Sequence, residues 1–88
     1  MAEPQLTIRF HPHAQERMKE RGATEEDVKA TIDGGEQFPV KFGRTCFRRN
    51  FTYNSVWQDR HFATKQVEVY AIAENEVWVV ITVITRYF

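Results

Sequence analysis

After one short alternating segment, apolar residues recur at helical spacing as far as Gly34-Gly35 and mostly at strand spacing beyond it. This single switch of period leaves few architectures open. Leu6, Ile8 and Phe10 alternate with Thr7 and Arg9, which predicts a short first strand over Leu6–Phe10. Pro12 suits a first helical turn, where a missing N–H costs nothing. The spacing predicts a helix from about Pro12 to Arg21, with Gly22 as its stop. Thr24 is a good N-cap for a second helix, and Glu25, Glu26 and Asp27 favour its dipole. Asp27 stands where a capping box prefers Glu, so an imperfect box is expected. Val28 and Ile32 mark the buried side, and Gly34-Gly35 ends the helix. The short connection implies a tight αα corner.

Beyond Gly35 the chain reads as strands. Gln37–Phe42 is interrupted by Pro39 and is expected at an edge or irregular. Gly43 is the turn. Arg44–Tyr53 alternates, with Phe47, Phe51 and Tyr53 on one face and Arg44, Cys46 and Arg48 on the other. Asn54–Thr64 has no clear period and is predicted to be a loop. Gln66–Ala73 and Val77–Arg86 form a hairpin turning at Glu74-Asn75-Glu76. Its second strand is apolar on both faces and is expected to be central. The expectation is an α+β fold: β-α-α followed by a three- to four-stranded, mostly antiparallel sheet with both helices on one face. At 88 residues the chain is read as one domain, 1–88.

Formal net charge is zero, which argues against a strongly basic nucleic-acid binder. The distribution is uneven, however. Residues 1–36 hold five Lys/Arg against eight Asp/Glu, a net of −3. Residues 41–65 hold six (Lys41, Arg44, Arg48, Arg49, Arg60, Lys65) against Asp59 alone, a net of +5. The middle of the chain could present a basic surface, with Lys41, Arg44, Arg48 and Arg49 as candidate RNA contacts; an ordinary solvated strand pair would give the same pattern. Cys46 is the only cysteine, so no internal disulfide forms; this fits a reducing, cytoplasmic location. No secretory signal is visible, and Val77–Ile84 is too short an apolar run to span a bilayer. His11 and His13 flank Pro12 while His61 is distant, and no HExxH or Gly-rich phosphate loop occurs. No metal and no cofactor are therefore expected.

The concentrated functional signal is the helix stripe His13, Arg17 and Arg21, spaced four and four. It borders a stripe of Phe10, Ala14 and Met18 that can face the core. Such a stripe suits phosphodiester cleavage by transfer to a ribose 2′-hydroxyl. That reaction needs a base, an acid and positive charge beside the phosphate. Histidine supplies an acid or base near neutral pH, and arginine a planar fork that matches phosphate. The competing reading is structural: arginines paired with nearby carboxylates or carbonyls, and His13 as a cap.

The stretch FHPHAQERMKERGATEEDVKATIDGGE resembles the start of the small bacterial domain-of-unknown-function family 4258. Its members typically show His-Ala, Arg-Met and Arg-Gly, here His13-Ala14, Arg17-Met18 and Arg21-Gly22, followed by a short acidic helix. The closing VVITVITRYF is similar to the family's last strand, with Thr82 the counterpart of its threonine. The order of elements looks like that of RelE-type and barnase-like ribonuclease toxins, where a helix border and a sheet face enclose an RNA cleft that an antitoxin blocks. The resemblance implies His13, Arg17, Arg21 and Thr82 as catalytic candidates. Arg86, on the face of Thr82 by the period-two rule, joins them, whereas Tyr87 points the other way.

Three functions follow as expectations. The first is a metal-independent ribonuclease of toxin type, with RNA as substrate and an antitoxin as partner. The second is a non-catalytic protein-binding module using a strand edge or the aromatic segment around Trp57. The third is single-stranded RNA binding, with Phe47, Phe51 or Tyr53 stacking on bases beside Arg48 and Arg49.

Overall fold

The computed structural model describes residues 7–88. The elements are β1 (Thr7–Phe10), α1 (Pro12–Arg21), α2 (Glu25–Gly34), β2 (Glu36–Pro39), a 3-10 turn at Lys41–Gly43, β3 (Thr45–Trp57), β4 (Arg60–Glu74) and β5 (Val77–Tyr87). Leu6, expected in the first strand, lies outside the described residues. One sheet contains all five strands in the order β1-β5-β4-β3-β2. β1 runs parallel to β5 and every other pair is antiparallel. The fold is thus α+β, with the first strand added to the edge of the later sheet. β5 is an inner strand, but the centre is β4.

Local chemistry sets the helix ends. The His11 Nδ1 accepts from the His13 backbone N–H at 3.1 Å and caps α1. Gly22 ends α1 with φ +72°, the left-handed conformation that glycine adopts freely. The capping box of α2 is complete: Thr24 Oγ1 accepts from the Asp27 N–H, and Asp27 Oδ2 accepts from the Thr24 N–H, both at 3.0 Å. The shorter Asp side chain reaches as well as Glu would. At the far end, a Cβ on Gly35 would lie 2.5 Å from Thr31 O and 2.7 Å from Arg48 O, so glycine lets the end of α2 rest on β3.

Both helices cover one sheet face. Ala14, Met18, Ala23 and Val28 bury against Phe47, Val67, Val69, Ala71, Val80 and Val83. Ile8, Phe10, Ile32, Phe51 and Trp78 close the margins, with Phe47 and Trp78 meeting edge-on at 5.0 Å.

Residues 54–64 correct the sequence reading: they form the end of β3, a tight turn and the start of β4, not a loop. Gln58 and Asp59 both have positive φ (50° and 63°), as a two-residue I′ hairpin turn requires. The register shifts between Thr52 and Ser55, with Asn54 at φ 42°. That bulge breaks the alternation that would have revealed the strand. The extended arm folds over the αα corner. Trp57 stacks on Tyr87 at 5.0 Å, and Tyr53 and Phe62 pack around the same ring. Beneath them Lys65 Nζ donates to Gly22 O at 2.5 Å and to Asp27 Oδ2 at 2.8 Å. Burial raises the Asp27 carboxyl, but Lys65 and the Thr24 N–H outweigh it and hold its pKa below the ordinary value.

A second bulge lies in β5. Tyr70 pairs with Thr82 and Ala71 with Val80, leaving Ile81 extra. Val80 and Val83 both enter the core, so Ile81 and Thr82 both turn outward. From there Val83, Thr85 and Tyr87 face the helices, while Thr82, Ile84 and Arg86 face the other side.

Candidate functional site

The three residues of the helix stripe have different surroundings. His13 is exposed, Arg17 half-buried, and Arg21 fastened to the sheet. Arg17 Nε donates to His13 Nε2 at 3.4 Å, and its Nη1 pairs with Glu20 at 2.9 Å. Arg21 Nη1 donates to Val83 O at 2.6 Å. The Arg21 carbonyl in turn accepts from Thr85 Oγ1 at 2.9 Å and Tyr87 Oη at 2.8 Å. Arg21 therefore locks the end of α1 to β5. Thr82 and Arg86 share a face, as the period-two rule gave, but it is the face away from α1. His13 and Thr82 stand on opposite sides of the sheet, and the structure does not bring them into one cleft. Tyr87 is the residue of this strand that meets the helix.

The basic middle segment also divides. Arg49 lies on the helix side, donating Nη1 to Ala30 O at 2.9 Å with its guanidinium 5.1 Å from the Phe51 ring. Lys65 is buried there too. Arg48 lies on the opposite side, Lys41 opens the 3-10 turn, and Arg44 follows it. The aromatics expected to stack on RNA are occupied: Phe47 is in the core, Phe51 packs against it, and Tyr53 belongs to the Tyr87 cluster.

No described element covers the other face of the sheet, and a polar array crosses it there. Strand register sets its rows. Glu36, Arg48, Glu68 and Ile84 lie side by side across β2, β3, β4 and β5; Asn50, Gln66 and Arg86 form the next row; Phe38, Cys46, Tyr70 and Thr82 the row on the other side. Facing Cβ atoms in such rows are about 5 Å apart. Glu68 is the centre. It is only 6% exposed, yet it accepts from Tyr70 Oη at 2.9 Å and from Arg86 Nε at 3.3 Å. Burial, aided by donation to Glu68, pushes the Tyr70 phenol up to about 12, so it keeps its proton at neutral pH. Arg48 pairs with Glu36 at 3.4 Å and stands 5.1 Å over the Phe38 ring. Gln66 donates to Asn50 at 2.9 Å. A hollow of about 340 Å³, bordered by Gly35, Arg48, Arg49 and Asn50, adjoins the array.

Cys46 is fully buried, and burial pushes its thiol up, so it is a packing residue and not a nucleophile. Among the described residues no three His, Cys, Asp or Glu side chains converge as metal ligands could. No helix among them is long and apolar enough to cross a membrane.

Sequence reasoning passed over Glu68 and Tyr70. The period-two rule applied to QVEVY places Gln66, Glu68 and Tyr70 on one face. Nothing in the chain order announces that this face is open or that Arg86 and Arg48 flank it.

A family model described as "Domain of unknown function (DUF4258)" matches residues 10–85. No curated protein and no solved structure matches the chain, so the likeness to RelE-type and barnase-like ribonucleases has no matching structure behind it.

Proposed function

Because the chain belongs to the DUF4258 family, whose description assigns no activity, we propose its function from the geometry of its open sheet face: metal-independent cleavage of RNA phosphodiesters. The observation that carries this reading is the nearly buried Glu68 carboxylate, set between Arg86 and Arg48 with a protonated phenol beside it. A surface that only bound phosphate would gain nothing from a carboxylate at its centre, since like charges repel there. A surface that cleaves RNA needs a base, and a carboxylate so placed can serve as one. In this reading Glu68 takes the proton of a ribose 2′-hydroxyl, and the freed oxygen attacks the adjoining phosphorus. Arg86 and Arg48 then turn from their carboxylates to the phosphate and stabilise its extra charge. The 5′-oxygen leaves with a proton supplied by Tyr70, and a 2′,3′-cyclic phosphate remains. A toxin-type activity would be controlled by an antitoxin-type protein covering this face.

A second reading is favoured by the pairing of Arg48 with Glu36 and Arg86 with Glu68. Those pairs leave the array self-neutralised at rest, which suits a non-catalytic RNA- or protein-binding surface.

One experiment separates the readings. Purified wild type, Glu68→Gln and His13→Ala are incubated with mixed RNA in the presence of a chelator. Cleavage by wild type and His13→Ala that Glu68→Gln abolishes is the expected result. RNA binding without cleavage by wild type would replace the enzyme with the binding module.

A further inference from the structure

The 3-10 turn between β2 and β3 holds a phenylalanine that the fold does not use. Phe42 is 85% exposed, the most exposed large apolar side chain among the described residues, against 59% for Val56 and for Phe88. Its backbone is left-handed, φ 64° and ψ 33°. For a residue with a Cβ that conformation is disfavoured, and glycine would adopt it freely. The next residue, Gly43, is also left-handed at φ 69°, and a Cβ there would meet nothing within 4 Å. Phe42 thus adds backbone strain and leaves an apolar ring in water, two losses with no packing in return.

The surroundings say what the ring could receive. The Arg44 guanidinium lies 6.0 Å from the Phe42 centroid. Among the described residues neither Lys41 nor Arg44 makes an ion pair, and Arg44 Nε is buried without an acceptor. Phe38, with Arg48 over it, stands between the turn and the polar array. A hollow of about 360 Å³ lined by Gln37, Phe38, Pro39 and Thr45 lies alongside. Arg44 and Arg48 share a face of the chain, roughly 13 Å apart at the ordinary strand rise. An exposed ring between two cations that make no ion pair, Lys41 before it and Arg44 after it, with Arg48 further along the same face, fits a flexible polyanion carrying flat apolar groups.

We infer that Phe42 is a stacking platform for an unpaired base of single-stranded RNA, with Lys41 and Arg44 holding the adjoining phosphates and the strand running on past Arg48 toward Glu68. This rests on the RNA reading of the open face and adds the class of RNA: single-stranded, with the base beyond the cleavage point turned out. Double-stranded RNA keeps its bases stacked inside and has none to offer Phe42. The cations alone would bind any phosphate chain; the ring makes binding depend on a base.

The test uses labelled, uncleavable 2′-O-methyl oligonucleotides eight nucleotides long, one with bases and one abasic, binding to wild type, Phe42→Gly and Phe42→Trp at fixed salt. Phe42→Gly relieves the strain, so it should fold at least as stably as wild type, checked by thermal melting. It should bind the base-bearing strand on the order of tenfold more weakly, and the abasic strand unchanged. Phe42→Trp should bind the base-bearing strand as well as wild type or better. Equal weakening on both strands, or no weakening on either, overturns the inference. So does Phe42-dependent binding to vesicles of anionic lipid with none to RNA. The cleavage assay is read separately. Cleavage with affinity indifferent to Phe42 sinks this inference alone, whereas Phe42-dependent binding without cleavage sinks only the enzyme reading.

Discussion

The two faces of the sheet use the same cationic side chains in opposite ways. On the helix-covered face the cations donate to backbone carbonyls, Arg21 to Val83, Arg49 to Ala30 and Lys65 to Gly22, and the one carboxylate pair there, Lys65 with Asp27, is itself largely buried. On the open face they pair with carboxylates: Arg48 with Glu36 and Arg86 with Glu68. The bonds to Val83 and Gly22 are partly buried, where orphaning a carbonyl costs about 1–3 kcal/mol, while the bond to Ala30 is exposed. A ligand cannot draw those cations away without loosening the fold. Glu36 is exposed and has water to fall back on, so an incoming phosphate can take Arg48 at little loss; Glu68 is nearly buried, and when Arg86 turns to a phosphate it keeps the Tyr70 hydroxyl as its donor. The covered face thus spends its charges on structure and the open face keeps its own exchangeable. Position along the chain does not make this distinction: Arg48 and Arg49 are neighbours and fall on different sides of it.

The largest expected effect comes from breaking the covered face at Asp27. Lys65 is 8% exposed, and Asp27→Ala leaves its ammonium with the Gly22 carbonyl and two aromatic rings. Removing one partner of such a pair should lower stability by about 3 kcal/mol, measured by urea denaturation. The pH dependence has a fixed sign. The folded pKa of Asp27 lies below its ordinary value of 3.8, so the pair's contribution is present above that value. It is lost as pH falls through the folded pKa. The variant should therefore show a shallower acid limb in stability than wild type. An unchanged acid limb would remove Asp27 from the structural side of the comparison.

Next in size is Gly22→Ala. The new Cβ would lie 2.6 Å from Trp57 Cζ3 and 2.8 Å from Tyr87 Oη, on a backbone at φ +72°. Strain and overlap together should cost about 2 kcal/mol. The aromatic near-ultraviolet dichroism of the Trp57–Tyr87 stack should weaken with it. A variant of wild-type stability would mean that the arm is free to lift from the αα corner.

The open face should behave differently. Glu68→Gln keeps the shape and should change stability by less than about 1 kcal/mol, since the lost Arg86 partner is half exposed. Its mark should appear in the Tyr70 titration, followed by phenolate absorbance. In wild type the phenol ionises at about 12, against 10.0 for a free tyrosine. A raised folded pKa means that its share of stability is full below the free value and is lost between the two. Without the carboxylate to accept its proton, Tyr70 should ionise earlier and lose stability over a narrower range. A titration indifferent to Glu68 would leave burial as the whole cause.

How much of this was legible in the sequence divides along the same line. The helices were, because Pro12, Gly22, Thr24 and Gly34-Gly35 are local signals that act within a turn of themselves. The stripe of Ala14 and Met18 and the strand alternation at Phe47 were legible for the same reason. The arm over residues 54–64 was not, because a bulge at Thr52/Ser55 breaks the period and Gln58-Asp59 is an uncommon pair for a two-residue turn. The open-face array was not legible either. Its rows are made by register between β3, β4 and β5, and by the Ile81 bulge that turns Thr82 away from α1. His13, Arg17 and Arg21 stood out because they are close in sequence, whereas Glu68, Tyr70, Arg86 and Arg48 come together only in the sheet.

The smallest expected effect tests the helix stripe itself. Arg17→Ala removes an exposed pair with Glu20 and a long contact to His13, and should cost less than about 0.5 kcal/mol. His13→Ala should cost no more, because the helix cap is His11. The exchangeable-partner rule that singles out the open face applies to Arg17 as well: its carboxylate is exposed and a phosphate could displace it. What the stripe lacks is a cleft and a third group, since Arg21 is committed to Val83 and Thr82 lies across the sheet. Stability-neutral variants at both positions that also keep RNA cleavage would leave the open face as the working surface. Loss of cleavage in His13→Ala, with Glu68→Gln active, would move the chemistry to the helix border and leave the Glu36–Arg48–Glu68–Arg86 ladder as structure.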